Sequence, residues 1–325
     1  MSPALARVAR GETGFTTYDP AFREVLGESP VLRLVADVDA HEGPVYVATE
    51  DALYFTSRPL LGQVHIKRLQ LDGTRFPRAA GDVSVVPADT VAANGMTASA
   101  DGALLVCEQG SMTRGARISW VQPSTGRTTA LVTGWRGLPL SSPNDVVVHR
   151  DGSVWFTDPS YGWLQGFRPP PATGDFVYRF DPETGVTDVV DDSFDKPNGI
   201  AFSPDHRTLY VTDSGANQEP GSYHVDRPHH VVAFDLTPDG RHLANRRLLA
   251  VTTPGFPDGI TVDAAGRVYV SSFSGVQVLS PEGDLLGQID VPGAVNFTFG
   301  GPGRRVLFIT NDTAVWAAVL ETHGA

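Results

Sequence analysis

The sequence predicts an all-β fold: a six-bladed β-propeller of four-stranded blades behind a short N-terminal extension. Three observations predict it. One hairpin pattern recurs six times along the chain. Its copies follow one another at 52, 50, 54, 60 and 38 residues, near the length of one propeller blade. The 34 glycines and 25 prolines make about 18% of the 325 residues, against roughly 12% on average, which favours many short strands over long helices.

Residues 1–30 fit no copy and form the extension, with a short helix expected over 20–26. The propeller takes 31–325. Its first segment, VLRLVADV at 31–38, alternates at period two and is expected to pair with the last blade and close the ring. The copies then run in order: HEGPVYVATEDALYFTS at 41–57, ANGMTASADGALLVCEQG at 93–110, PNDVVVHRDGSVWFTDPS at 143–160, PNGIAFSPDHRTLYVTDSG at 197–215, PDGITVDAAGRVYVSSFSG at 257–275 and VNFTFGGPGRRVLFITND at 295–312. Each has an Asn, Asp or Glu, an apolar run, a turn and a second apolar run. In the third copy, β-branched and aromatic runs flank Arg150-Asp151-Gly152, a hairpin signal. Runs at 176–180 and 231–236, each followed by a turn, read as further strands of their blades. A β-sandwich with ordinary Asn-Gly turns competes with this reading. Here, however, Asn-Gly precedes the first strand, and the hairpin turn lies several residues later.

Composition removes several functions. The formal charge of −12 argues against a nucleic-acid backbone as partner. Cys107 is the only cysteine, so an intrachain disulfide and a thiolate-rich metal site are excluded. Lys67 and Lys196 are the only lysines available for Schiff-base chemistry. There is no G-x-S-x-G, H-E-x-x-H, Walker-A or G-x-G-x-x-G motif. No segment has the apolar length of a signal peptide core or a membrane span, so a cytoplasmic protein is expected.

In a propeller the first strand of each blade lines the central channel. Glu42, Asn94, Asn144, Asn198, Asp258 and Asn296 should therefore meet at one end of it. The second strands return to that end and bring Asp158, Asp213 and Ser272 alongside. Converging oxygens without thiols suit one hard divalent cation, Ca²⁺ first, with Mg²⁺, Mn²⁺ or Zn²⁺ as alternatives. Glu42 and Asp258 supply two negative charges; Asn144 and Asn198 supply neutral oxygens. Each residue alone also reads as a turn former, and Asp158 and Asp213 as caps of strand ends. Tyr161 and Trp163 are expected to wall the pocket, and Trp120, Trp135 and Trp155 to pack blades. The loop 215–230 should overhang the mouth with His224, His229 and His230.

At these residues the chain resembles the family of senescence marker protein, gluconolactonase and luciferin-regenerating enzyme, over roughly residues 38–320. The marks are Glu-Gly-Pro at 42–44, Pro-Asn-Asp at 143–145, Pro-Asn-Gly at 197–199 and Pro-Asp-Gly at 257–259. The segment SSPNDVVVHRDGSVWFTDPSYG at 141–162 is closest to the gluconolactonase branch. The resemblance implies a six-bladed propeller with a divalent cation, often Ca²⁺, and hydrolysis of lactones, including sugar lactones. It implies Glu42, Asn198 and Asp258 as metal ligands and Asn144 as a residue that binds the metal or the substrate and its water. It places Asp145 beside the substrate. One departure is Ser142, where the animal senescence-marker branch has an Arg that helps hold a sugar lactone.

The function expected is metal-dependent opening of a small lactone, with Asp258 as the preferred general base and Asp213 as the alternative. Asn94, Asp145, Asp158 and Tyr161 are expected around the substrate. An organophosphate or ester hydrolase on the same site, and a non-catalytic binding platform, are the competing readings.

Overall fold

The computed structural model describes residues 14–60, 63–99 and 101–325. It is a six-bladed β-propeller. Six sheets follow one another in sequence, each running outward through its strands. The first strands are Val45–Val47, Ala93–Ala98, Val146–Val148, Pro197–Phe202, Ile260–Val262 and Asn296–Gly300, and each touches the next around a closed ring. Val31–Asp37 is the outer strand of blade six, antiparallel to Ala314–Val319, and closes the ring as the alternation at 31–38 predicts.

The extension is partly woven into the propeller. Phe15–Thr17 adds a fifth strand outside Leu285–Ile289 of blade five. The helix Phe22–Leu26 then sets Phe22 and Val25, both fully buried, between blades five and six. The Phe22 ring occupies the place of a side chain on Gly287: a Cβ there would stand 2.2 Å from it. The rest of the extension, residues 1–13, lies outside the described residues.

Side chains alternate across a strand, and in a propeller both faces of a sheet meet a neighbouring blade. That is why the second strands read as continuous apolar runs and are buried throughout, as in Ala52–Thr56, Val154–Asp158 and Val268–Ser272. In blade one, Leu53 and Phe55 pack against Val306 and Phe308 of blade six. Tyr54 instead packs against Met96 and Val106 of blade two. Trp155 packs against Ile200 and Val211 between blades three and four, and Trp120 and Trp135 pack against the cluster between blades two and three.

In five of the six blades a buried hydroxyl near the end of the second strand fastens the first strand, and in several places the next blade. The Thr157 hydroxyl accepts the Asp145 N–H at 3.1 Å and donates to the Asn198 carbonyl of blade four at 2.6 Å. Thr212 accepts the Gly199 N–H at 2.8 Å and donates to the Asp258 carbonyl of blade five at 2.9 Å. The Thr310 hydroxyl stands 2.6 Å from the His41 carbonyl, closing blade six on blade one. Thr56 and Ser271 receive the N–H groups of Glu42 and Asp258. Blade two has Cys107, fully buried, at the equivalent position. Thr212→Val strands a buried N–H and carbonyl and is expected to lower stability by about 1–3 kcal/mol. Thermal denaturation checks this, and an unchanged melting temperature in Thr212→Val would contradict the latch.

Candidate functional site

The six lead residues sit where the first strands begin. Five are nearly buried, and Asp258 alone keeps intermediate exposure. The residue after the lead is Gly in four blades because the next blade's backbone lies against it. A Cβ on Gly43 would stand 2.5 Å from the Asn94 carbonyl, one on Gly95 2.4 Å from the Asn144 carbonyl, and one on Gly199 2.4 Å from the Asp258 carbonyl. A Cβ on Gly259 would meet the Asn296 side chain at 2.5 Å. Asn-Gly and Asp-Gly here mark close approach of chains, not hairpin turns.

Glu42, Asn198 and Asp258 come together. The Asp258 carboxyl lies within hydrogen-bonding reach of both Glu42 and the Asn198 amide. Glu42 Oε2 accepts the Asn296 amide at 2.8 Å and the Gly43 N–H at 3.2 Å. Asn198 also donates to the Ser214 hydroxyl at 3.0 Å, and that hydroxyl donates to the Pro257 carbonyl at 2.5 Å. Ser214 thus ties two lead residues from neighbouring blades. Dehydration pushes both carboxyls well above the ordinary carboxylate range, and the Asp258 charge raises Glu42 further. Asp145 rises to about 7, first from burial and then from the Glu42 charge.

Asn144 is held by its backbone. Its carbonyl accepts the Gly95 N–H at 2.8 Å and the Asn94 amide at 3.1 Å, while its own buried side-chain Oδ1 has no hydrogen-bond partner. A buried orphan oxygen on one lead residue and two dehydrated carboxyls on others make a donor set whose chemistry fits a hard cation. Among the described residues no three His, Cys, Asp or Glu side chains gather at one point. The set instead joins two carboxylates to carboxamides.

Other predicted residues take different places. Asp158 is fully buried, and its carboxylate accepts the Ser141 and Ser142 N–H groups at 2.9 and 2.7 Å. Asp213 accepts those of Asp195, Lys196 and Gly215 at 3.1, 2.9 and 3.1 Å. Both carboxylates therefore hold the loops that lead into Asn144 and Asn198. Asp145 receives the Val146 N–H at 2.9 Å and the Ile200 N–H at 3.3 Å, so it braces blade three on blade four. The Asn94 amide braces blade two on blade three in the same way. Tyr161 is buried with its hydroxyl 3.5 Å from the Ser214 carbonyl, and the Asp258 charge acts on its phenol. Trp163 is exposed.

The histidines of the 215–230 loop bond within it or beside it. His229 Nδ1 is 2.9 Å from the Arg227 carbonyl, and His224 lies 3.6 Å from Glu219. His230 faces Asp213 across the strand pair, and burial lowers its pKa. A groove of about 740 Å³ opens at the other end of blades three and four, lined by residues including His149, Asp151 and His206. It contains none of the lead residues, and its His149 is engaged by Asp151 at 2.9 Å.

The sequence reading missed the hydroxyl latches and Ser214. Their signal was present: Thr56, Cys107, Thr157, Thr212, Ser271 and Thr310 occupy one position of the six copies. It also missed Tyr223, Phe256 and Phe273, which form one aromatic group.

Residues 40–313 match the family described as the SMP-30/Gluconolactonase/LRE-like region, and the chain belongs to that family. It is 30% identical over 311 residues to Lactonohydrolase oryL of Aspergillus oryzae, covering 89% of this chain and 70% of the relative. It is 29% identical over 320 residues to a gluconolactonase of Zymomonas mobilis, covering 95% and 86%. Among solved structures, a gluconolactonase from Xanthomonas campestris superposes with a TM-score of 0.77 at 33% identity, covering 94% of each chain.

The carboxyl cluster sets a pH dependence. An acid whose folded pKa exceeds its unfolded value, about 4.3 for Glu and 3.9 for Asp, removes stability as pH rises between the two. The chelator-treated protein should therefore melt at lower temperature at pH 8 than at pH 5, and Glu42→Gln should flatten that fall. Melting curves across this range check it; an unchanged slope in Glu42→Gln would contradict the burial of that charge.

Proposed function

We propose that this protein is a lactonase whose channel end holds one divalent cation, Ca²⁺ by preference, and opens a small lactone by hydrolysis. The observation that carries the reading is the convergence of Glu42, Asn198 and Asp258, with the buried Oδ1 of the equivalent lead residue Asn144 left unpartnered. The relatives named gluconolactonase and lactonohydrolase support the reaction class.

Glu42, Asn144, Asn198 and Asp258 would hold the cation. Their oxygen-only chemistry favours a hard ion, and the two carboxylates balance its charge. When bound, the ion supplies Lewis-acid polarisation of the lactone carbonyl. The protein's own groups do the rest. The Ser214 bridge and the Thr212 latch fix Asn198 and Asp258 against each other, so the oxygens need no rearrangement during the reaction. Asp258 is the one lead carboxyl with solvent exposure, which supports assigning it the proton of the attacking water. Water adds to the carbonyl carbon, the ring C–O bond breaks, and the leaving oxygen takes a proton, giving a hydroxy acid. Asp213, with its carboxylate on three backbone N–H groups, acts as a positioning residue in this scheme. Tyr161 and the backbone-capping Asp158 shape the wall beside it.

A pH-stat assay on a lactone panel that includes glucono-1,5-lactone tests the proposal, after chelation and after return of each cation. Turnover should vanish on chelation and return with Ca²⁺. Asp258→Asn and Glu42→Gln should each cost at least about 100-fold in kcat/KM, on the scale of losing a proton-transfer group or a polarising site. Asp213→Asn should melt earlier and still turn over. Full activity in the presence of chelator would overturn the cation's part.

A further inference from the structure

We infer that the preferred lactone carries an apolar alkyl or aryl substituent, and that Tyr223, Phe256 and Phe273 receive it; this rests on the lactonase reading above. The three rings form one group on loops at the lead-residue end of blades four and five. Tyr223 and Phe273 have centroids 5.6 Å apart, and Phe256 lies 5.1 Å from Phe273, edge to face. The group adjoins the reacting end by chain connection. Phe256 is two residues before Asp258, and the intervening Pro257 carbonyl is held by Ser214, the residue that also holds Asn198. The Phe273 ring lies on Gly255, where a Cβ would stand 2.4 Å from it, so the ring is seated on the same loop. Despite these contacts Tyr223 and Phe273 are 42% and 46% exposed.

The charged groups around the mouth offer a polyhydroxylated substrate little. The Arg168 guanidinium is buried and donates to the carbonyls of Ser111, Arg114, Leu140 and Ser141. Lys196 is engaged by Asp175 and Asp195, and Arg227 by Asp195. The Ser142 hydroxyl donates to the Pro159 carbonyl and accepts the Gly162 N–H. The donors of Arg168, Lys196 and Ser142 are turned into the scaffold, whereas the aromatic group retains open apolar surface on the loop that leads into Asp258. Apolar surface beside a reacting centre binds hydrocarbon, not hydroxyls.

The test holds the ring constant and varies the substituent. kcat/KM is measured for δ-valerolactone, δ-decalactone and glucono-1,5-lactone on the full chain with Ca²⁺ supplied. Burial of a methylene is worth about fourfold, so δ-decalactone should exceed δ-valerolactone by at least about tenfold. In Phe273→Ala and Tyr223→Ala, both at exposed positions, that ratio should fall toward one. A flat series in the unmodified protein overturns the inference and leaves the lactonase reading standing. A steep series whose ratio persists in both folded variants also overturns it, by moving the apolar subsite elsewhere. Unchanged ratios together with loss of self-association in the variants would make the aromatic group a contact between copies of this chain. Turnover of no lactone at all overturns the lactonase reading and this inference with it.

Discussion

Everything at the channel end depends on how closely six first strands approach one axis. Such an approach leaves no room for side chains between neighbouring backbones. Gly43, Gly95, Gly199 and Gly259 supply the space, and each would otherwise drive a Cβ to within 2.4–2.5 Å of the next blade. Close approach also buries backbone amides and carbonyls, which must be paired. The hydroxyls of Thr157, Thr212 and Thr310 do this across blade boundaries. Packing and polar satisfaction are therefore settled by the same few residues, and the lead side chains inherit fixed positions from them.

That geometry produces the electrostatics. Glu42 and Asp258 are brought together in a setting poor in water, and among the described residues no Lys or Arg pairs with either. Two dehydrated carboxyls at hydrogen-bonding distance are unfavourable as charges. The groups that hydrogen-bond them are amides and backbone N–H donors, which orient the oxygens; the nearby His41 imidazole only partly offsets the charge on Glu42. A site that concentrates negative charge at the cost of stability is what a divalent cation would offset. The proposed lactonase chemistry follows from this tension, with Asp258 as the group still in touch with solvent.

Much of this was legible in the sequence, because the repeat places equivalent residues at equivalent depths. Six copies fixed the blade count, and the alternation at 31–38 identified the strand that closes the ring. The lead positions Glu42, Asn198 and Asp258 could be read as convergent without coordinates. Asp158 and Asp213 could not be placed so well, since sharing a channel end does not say which way a carboxylate turns. Both turn to backbone N–H groups of the loops before the lead residues. The aromatic group was hidden for another reason. Tyr223, Phe256 and Phe273 come from three different loops, and no periodicity links them. Phe15–Thr17 escaped notice because a three-residue strand on an outer edge carries almost no pattern.

The most direct test of the cation site is calorimetric titration of Ca²⁺ into the chelator-treated protein at about pH 6.5, repeated in buffers of different ionisation enthalpy. The account predicts one cation per chain with release of protons from the Glu42 and Asp258 carboxyls, and loss of both signals in the Glu42→Gln, Asp258→Asn double variant. Binding that survives in that variant, or no binding to the unmodified protein by Ca²⁺ or any other divalent cation, would contradict it.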